Sequence, residues 1–100
     1  MTIIKDPEGR ETSALEAMVN FKDLRVLEIG CGDGRLTWRY ADQAAHVTAI
    51  DPKSVDIETA RANTPGLLKE RVNFQVSTLE DFVTSIREPS FDVVVFAWSL

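Results

Sequence analysis

The stretch Val26-Leu27-Glu28-Ile29-Gly30-Cys31-Gly32-Asp33-Gly34-Arg35-Leu36-Thr37 constrains this chain more than any other. A short apolar run passes directly into three glycines at alternate positions and then into a helical pattern. With no Cβ at Gly30, Gly32 or Gly34, the backbone can turn sharply and let a ligand approach closely. The first amides of the following helix lack intrahelical partners and are expected to face the same crevice. Glu28 is an acid inside an otherwise hydrophobic strand, costly to bury unless a donor or a positive charge meets it. A plain turn with a lip-exposed Glu would explain the glycines alone. A second acid argues for more.

That acid is Asp51, which closes the apolar run His46-Val47-Thr48-Ala49-Ile50 and lies 21 residues after Gly30. In a parallel βαβ unit this spacing brings it to the end of the neighbouring strand, beside the glycine turn. Its two oxygens can accept from both hydroxyls of a ribose. A capping role ahead of Pro52 is the simpler alternative, and the glycines weigh against it.

The rest of the chain alternates regularly. Leu15, Met18 and Val19 predict a leading helix over residues 12–21, capped by Thr12 or Ser13. Residues 25–29 form the first strand and 36–45 the first long helix, with Leu36, Tyr40 and Ala44 along one stripe. A second helix runs over 54–62 with Ser54 as its N-cap, stopped by Asn63-Thr64-Pro65-Gly66. Val72–Val76 form the third strand. Ser77 with Glu80, or Thr78 with Asp81, resembles a capping box opening a helix that carries Leu79, Phe82, Val83 and Ile86 on one face. Residues 87–90 turn, and 91–97 form a nearly unbroken apolar strand, as in a parallel sheet covered on both faces. Helix, then β-α-β-α-β-α-β, implies a parallel sheet with right-handed crossovers.

One hundred residues make a single small domain. With 11 Lys and Arg against 16 Asp and Glu, the net charge of −5 disfavours a dedicated nucleic-acid surface or an anionic-membrane binder. The polar N-terminus lacks a signal-peptide core, no apolar run reaches membrane-spanning length, and one cysteine suits a reducing compartment. The expectation is a cytoplasmic protein. His46 and Cys31 are better read as a junction residue and a small side chain in a crowded turn than as catalysts.

The stretch Val26 to Gly34, an acid followed by alternate glycines, resembles the first motif of the Rossmann-like S-adenosylmethionine-dependent methyltransferases. Asp51 at the end of the next strand completes the likeness, which extends over nearly the whole chain. The resemblance implies a three-layer α/β/α domain over residues 1–100 with strand order 3-2-1-4, incomplete relative to the full fold. It implies S-adenosylmethionine as cofactor, with Gly30, Cys31 and Gly32 against its methionine end, Glu28 shaping the floor and Gly34 completing the cofactor-binding turn. Asp51 would hold the ribose and Pro52 flank the adenine. Thr78 stands where the family often has an acid, with Leu79 offering an amide and an apolar face. Ala97 and Trp98 would wall the cleft near the sulfonium. The leading helix would cover one side of the cleft, bringing Arg10 and Glu11 within distant reach.

The competing nicotinamide-dinucleotide fingerprint wants its third glycine where this chain has Arg35. A pyrophosphate also asks for bare amides without a nearby acid, whereas a sulfonium tolerates Glu28. Methyl transfer to an unidentified acceptor is therefore the expected function. A cofactor-binding half-domain without turnover is the alternative. Because the family normally continues past the fourth strand, the edge formed by residues 93–96 is expected to be bare, and self-association through it follows.

Overall fold

The computed structural model describes residues 2–5, 20–86 and 91–97. Strands β1 (Thr2–Lys5), β2 (Arg25–Ile29), β3 (His46–Asp51), β4 (Val72–Val76) and β5 (Val93–Phe96) form one sheet in the order β1-β5-β2-β3-β4. Every pairing is parallel. Helices α1 (Thr37–Tyr40), α2 (Ser54–Ala62) and α3 (Leu79–Ser85) fill the crossovers, with a short 3-10 turn at Gly66–Leu68. Read from β4 to β5, the order is the expected 3-2-1-4.

The expected bare edge is corrected by β1. Thr2 to Lys5 pair in register with Val93 to Phe96, so the outer side of β5 is taken by the chain's own N-terminal residues. The reason for expecting association through that edge is thereby removed. The helix expected over 12–21 lies, for residues 12–19, outside the described residues, as do Arg10, Glu11, the turn at 87–90 and Trp98; Asn20 and Phe21 are not helical.

Period-two alternation sorts the sheet's side chains between two layers. Leu27, Ile29, Ile50 and Val94 pack with Phe82 of α3 on one face. Val26, Val47, Ala49, Phe74, Val93 and Val95 pack on the other with Leu36, Tyr40, Ala41, Ile57 and Ala60. Residue 28 shares its side with Val26, and so faces α1. At the opposite end of the strands, Asp92 ties β2 to β5. Its amide donates to the Arg25 carbonyl (2.8 Å) and its Oδ2 accepts from the Arg25 amide (2.9 Å).

The first helix is one turn long rather than the expected ten residues, because backbone groups of residues 42–45 find partners outside it. The Ala45 amide donates to Leu24 O (2.8 Å), and Gln43 O accepts from the Asp23 amide (3.2 Å). Arg71 Nη1 takes the carbonyls of Asp42 (2.7 Å) and Ala44 (3.3 Å). Carbonyls and amides so engaged cannot extend a helical ladder. The α2 cap also shifts. Ser54 is the first helical residue, and the cap position is Lys53, with no side-chain bond. The α3 cap is as read: Thr78 Oγ1 accepts from the Asp81 amide (3.1 Å).

Candidate functional site

Parallel strands deliver their ends, and the loops after them, to one edge of the sheet. Backbone bonds hold these loops side by side. Gly30 and Cys31 both donate to Ile50 O (2.9 and 3.1 Å), Ala97 donates to Ile29 O (2.9 Å), and Ser77 donates to Asp51 O (3.1 Å). Glu28, the turn 30–34, Asp51, Pro52, Thr78, Leu79 and Ala97 are thus gathered along one rim. Ten of the eleven residues singled out from the sequence meet there; the eleventh, Trp98, is outside the described residues.

Three glycines adopt positive φ, at 77° for Gly30, 55° for Gly32 and 94° for Gly34. Their reasons differ. A Cβ on Gly34 would stand 2.8 Å from the Trp38 ring, so this glycine answers to packing within the turn. A Cβ on Gly32 would meet no atom of the described residues within 4 Å. Gly32 is therefore where the turn opens onto free space.

Five amides in and next to the turn are spent internally, a feature apart from the expectation that the first amides of the following helix face the crevice. Gly30 and Cys31 are held as above, Gly32 donates to Asp51 Oδ2 (3.0 Å), Gly34 to Cys31 O (3.1 Å) and Arg35 to Asp33 Oδ1 (3.3 Å). An anion cradle needs such amides free. This turn offers carboxylates instead.

Asp51 uses both oxygens locally, Oδ2 on the Gly32 amide and Oδ1 on the Lys53 amide (2.8 Å). The capping role considered for it from the sequence is real, and it also pins the glycine turn to β3. It remains half-buried, and each oxygen keeps a second lone pair.

Glu28 has no solvent exposure. Its Oε1 accepts from Thr37 Oγ1 (2.9 Å) and from the Tyr40 hydroxyl, while Oε2 is buried with no partner among the described residues. Burial raises its carboxyl to about 7, with the two hydroxyl bonds pulling the other way. Burial, then Glu28 and Asp51, push the Cys31 thiol far up, which keeps it protonated. Burial and Glu28 likewise keep the Tyr40 hydroxyl protonated. Both acids act on the same thiol, so both lie near the turn. The turn sits in a negative field.

Thr37 and Tyr40 were not picked out from the sequence, where Tyr40 read as part of an apolar stripe and Thr37 as lying beside it. A signal was present: two hydroxyls at i, i+3 on the helix after a strand that carries a stray acid. Thr78 spends an acceptor site of its hydroxyl on the α3 cap. Pro52 and Leu79 are exposed, Ala97 half-buried. A shallow recess lined by Arg61, Thr64, Lys69, Val72, Asn73 and Phe74 lies away from this rim, beside α2 and β4. Among the described residues, no group of three or more His, Cys, Asp or Glu could hold a metal ion, and no helix is long and apolar enough to cross a membrane.

Residues 26–100 match the family model described as a methyltransferase domain. The chain is 35% identical over 74 residues to the human mitochondrial ubiquinone biosynthesis O-methyltransferase, covering 72% of this chain and 20% of that protein. It is 33% identical over 78 residues to the ubiquinone biosynthesis O-methyltransferase of Xylella fastidiosa strain M23, covering 76% of this chain and 30% of that protein. Its fold superposes with TM-score 0.67 on an S-adenosylmethionine-dependent methyltransferase from Mesorhizobium loti, at 27% identity, over 86% of this chain and 38% of that one. The chain thus spans less than a third of the two curated relatives.

Proposed function

Because this chain belongs to the methyltransferase domain family, we propose that it binds S-adenosylmethionine at the rim of β2, β3, β4 and β5 and serves transfer of that cofactor's methyl group to an acceptor. One observation carries the reading. The glycine turn spends the amides of Gly30, Cys31, Gly32 and Gly34 within the fold and lies beside two acids, one with a buried oxygen unpartnered among the described residues, so it suits a cationic ligand and not a pyrophosphate. The open space at Gly32 is the approach for such a ligand.

Each candidate residue then has a task. Gly30, Cys31 and Gly32 form a surface against the methionine end, and Gly34 keeps that surface in shape against Trp38. Glu28 balances the ligand's positive charge from beneath. Asp51 fixes the turn through one amide and offers its remaining lone pairs to the ribose hydroxyls. Pro52, Thr78 and Leu79 border the adenine, while Ala97 and Trp98 border the sulfonium. When bound, the cofactor supplies a methyl group on a good leaving group. The chain's own work is to hold the donor in line and exclude water, an orientation effect of roughly 7–11 kcal/mol at its ideal. No catalytic base is assigned. The relatives' names make an oxygen acceptor the first class to screen. A cytoplasmic setting agrees with the single buried Cys31 thiol.

Calorimetric titration with S-adenosylmethionine, S-adenosylhomocysteine and NAD tests the reading. The two adenosyl ligands should bind and NAD should not. Asp51→Ala should weaken adenosyl binding at least tenfold. NAD binding without response to the adenosyl ligands overturns the proposal; adenosyl binding without methyl release to any acceptor selects a binding module without turnover.

A further inference from the structure

Glu28 carries more than the task of a floor. Its Oε1 is doubly engaged by Thr37 and Tyr40, and its Oε2 is buried with no donor among the described residues. A buried carboxyl in that state is satisfied in one of two ways. Either it keeps its proton, or a positive group arrives and the proton leaves. Both claims fall on the same group, so they compete. Resting on the adenosyl reading above, we propose that ligand binding at the glycine turn is coupled to release of a proton from Glu28 to the solvent, with Thr37 and Tyr40 as positioning residues that hold the carboxyl for this exchange.

The surroundings leave Glu28 as the group that moves. Across the sheet its neighbours are Ala49 on β3 and Val95 on β5, which carry no charge. From α1 it meets the hydroxyls of Thr37 and Tyr40, and Tyr40 stacks on Phe21 with ring centres 4.5 Å apart. From the turn it acts at a distance on the Cys31 thiol, which is held neutral. Asp51, and at longer range Asp56 of α2, add negative charge around that thiol. This field favours an incoming cation, and it opposes loss of the proton until the cation arrives. A carboxyl that titrates near 7 is poised for the exchange at neutral pH. S-adenosylhomocysteine retains the ammonium group of the methionine end, so it serves as a stable probe.

The experiment is calorimetric titration of the whole chain with S-adenosylhomocysteine from pH 5.5 to 9, repeated in buffers of differing ionisation enthalpy. At pH 7 the wild type should release about half a proton per ligand, the fraction still held by a carboxyl near 7. The excess should fade towards pH 9. Glu28→Gln should lose this release, and any proton exchanged by the ligand's own amine cancels in the comparison. Tyr40→Phe should move the release profile to higher pH, because the hydroxyl bond holds the carboxyl down. That displacement separates a positioning role from simple packing and keeps the test alive if Glu28→Gln fails to fold. Equal proton release in wild type and Glu28→Gln, or an unmoved profile in Tyr40→Phe, overturns the coupling while binding itself persists. Absence of any adenosylhomocysteine binding overturns the underlying reading and the coupling together.

Discussion

Charging Glu28 in the ligand-free protein costs stability, and the sign of the pH dependence follows directly. Its carboxyl titrates near 7 when folded, against an ordinary value of 4.5. Between those values the folded state holds more protons than the unfolded state, so stability falls as pH rises from about 4.5 to 7 and then levels off. The full loss is of the order of 3 kcal/mol. Glu28→Gln should therefore melt at a higher temperature than wild type at pH 8, and the advantage should vanish near pH 5; thermal unfolding without ligand at both pH values measures it. A stability gain joined to weaker ligand binding is the trade expected of a strained functional group. The acid's oddity was legible in the sequence, because a charged residue between Leu27 and Ile29 breaks an apolar strand. Its partners were not legible. Thr37 and Tyr40 meet it only once β2 and α1 are folded together, and a tyrosine on an apolar stripe reads as core.

At the scale of elements, strands were the most readable parts and helix ends the least. β2, β3 and β4 match their expected ranges because buried parallel strands are written as short apolar runs between turn residues. The first helix was overestimated, because nothing local announces that Arg71 and the 23–24 loop will claim the backbone of residues 42–45. The α3 pattern was right in kind but only partly used: Phe82 is buried, while Leu79 and Val83 stay exposed. The glycine turn gives a sharper test. Gly34→Ala sets a Cβ against Trp38 at a φ of 94° and should cost about 2–4 kcal/mol, read by denaturant unfolding. Gly32→Ala meets open space at a φ of 55°, should cost only about 1–2 kcal/mol, and should still lower adenosylhomocysteine affinity several-fold by filling the approach.

Over the whole molecule, the parallel sense of the sheet followed from alternation and the order β4-β3-β2-β5 from the family resemblance, but β1 followed from neither. Thr2–Lys5 is a four-residue strand ahead of Asp6, Pro7 and Gly9, too short to show alternation, and it gains meaning only from the unfilled edge of β5. Removing residues 1–5 should uncover that edge, and sedimentation should then show the average mass rising with concentration more steeply than for the parent chain. The rim site was legible because its glycines and acids sit at fixed distances along the sequence. Its charge logic became visible only with the amides traced to their acceptors. The most direct test of the adenosyl site is a map of backbone amide resonances during titration with S-adenosylhomocysteine. The account predicts shifts gathered at residues 30–34, 51–53, 77–79 and 97, at the ends of β2, β3, β4 and β5. Shifts gathered instead around the recess of Arg61, Lys69 and Asn73, or none at saturating ligand, would contradict it.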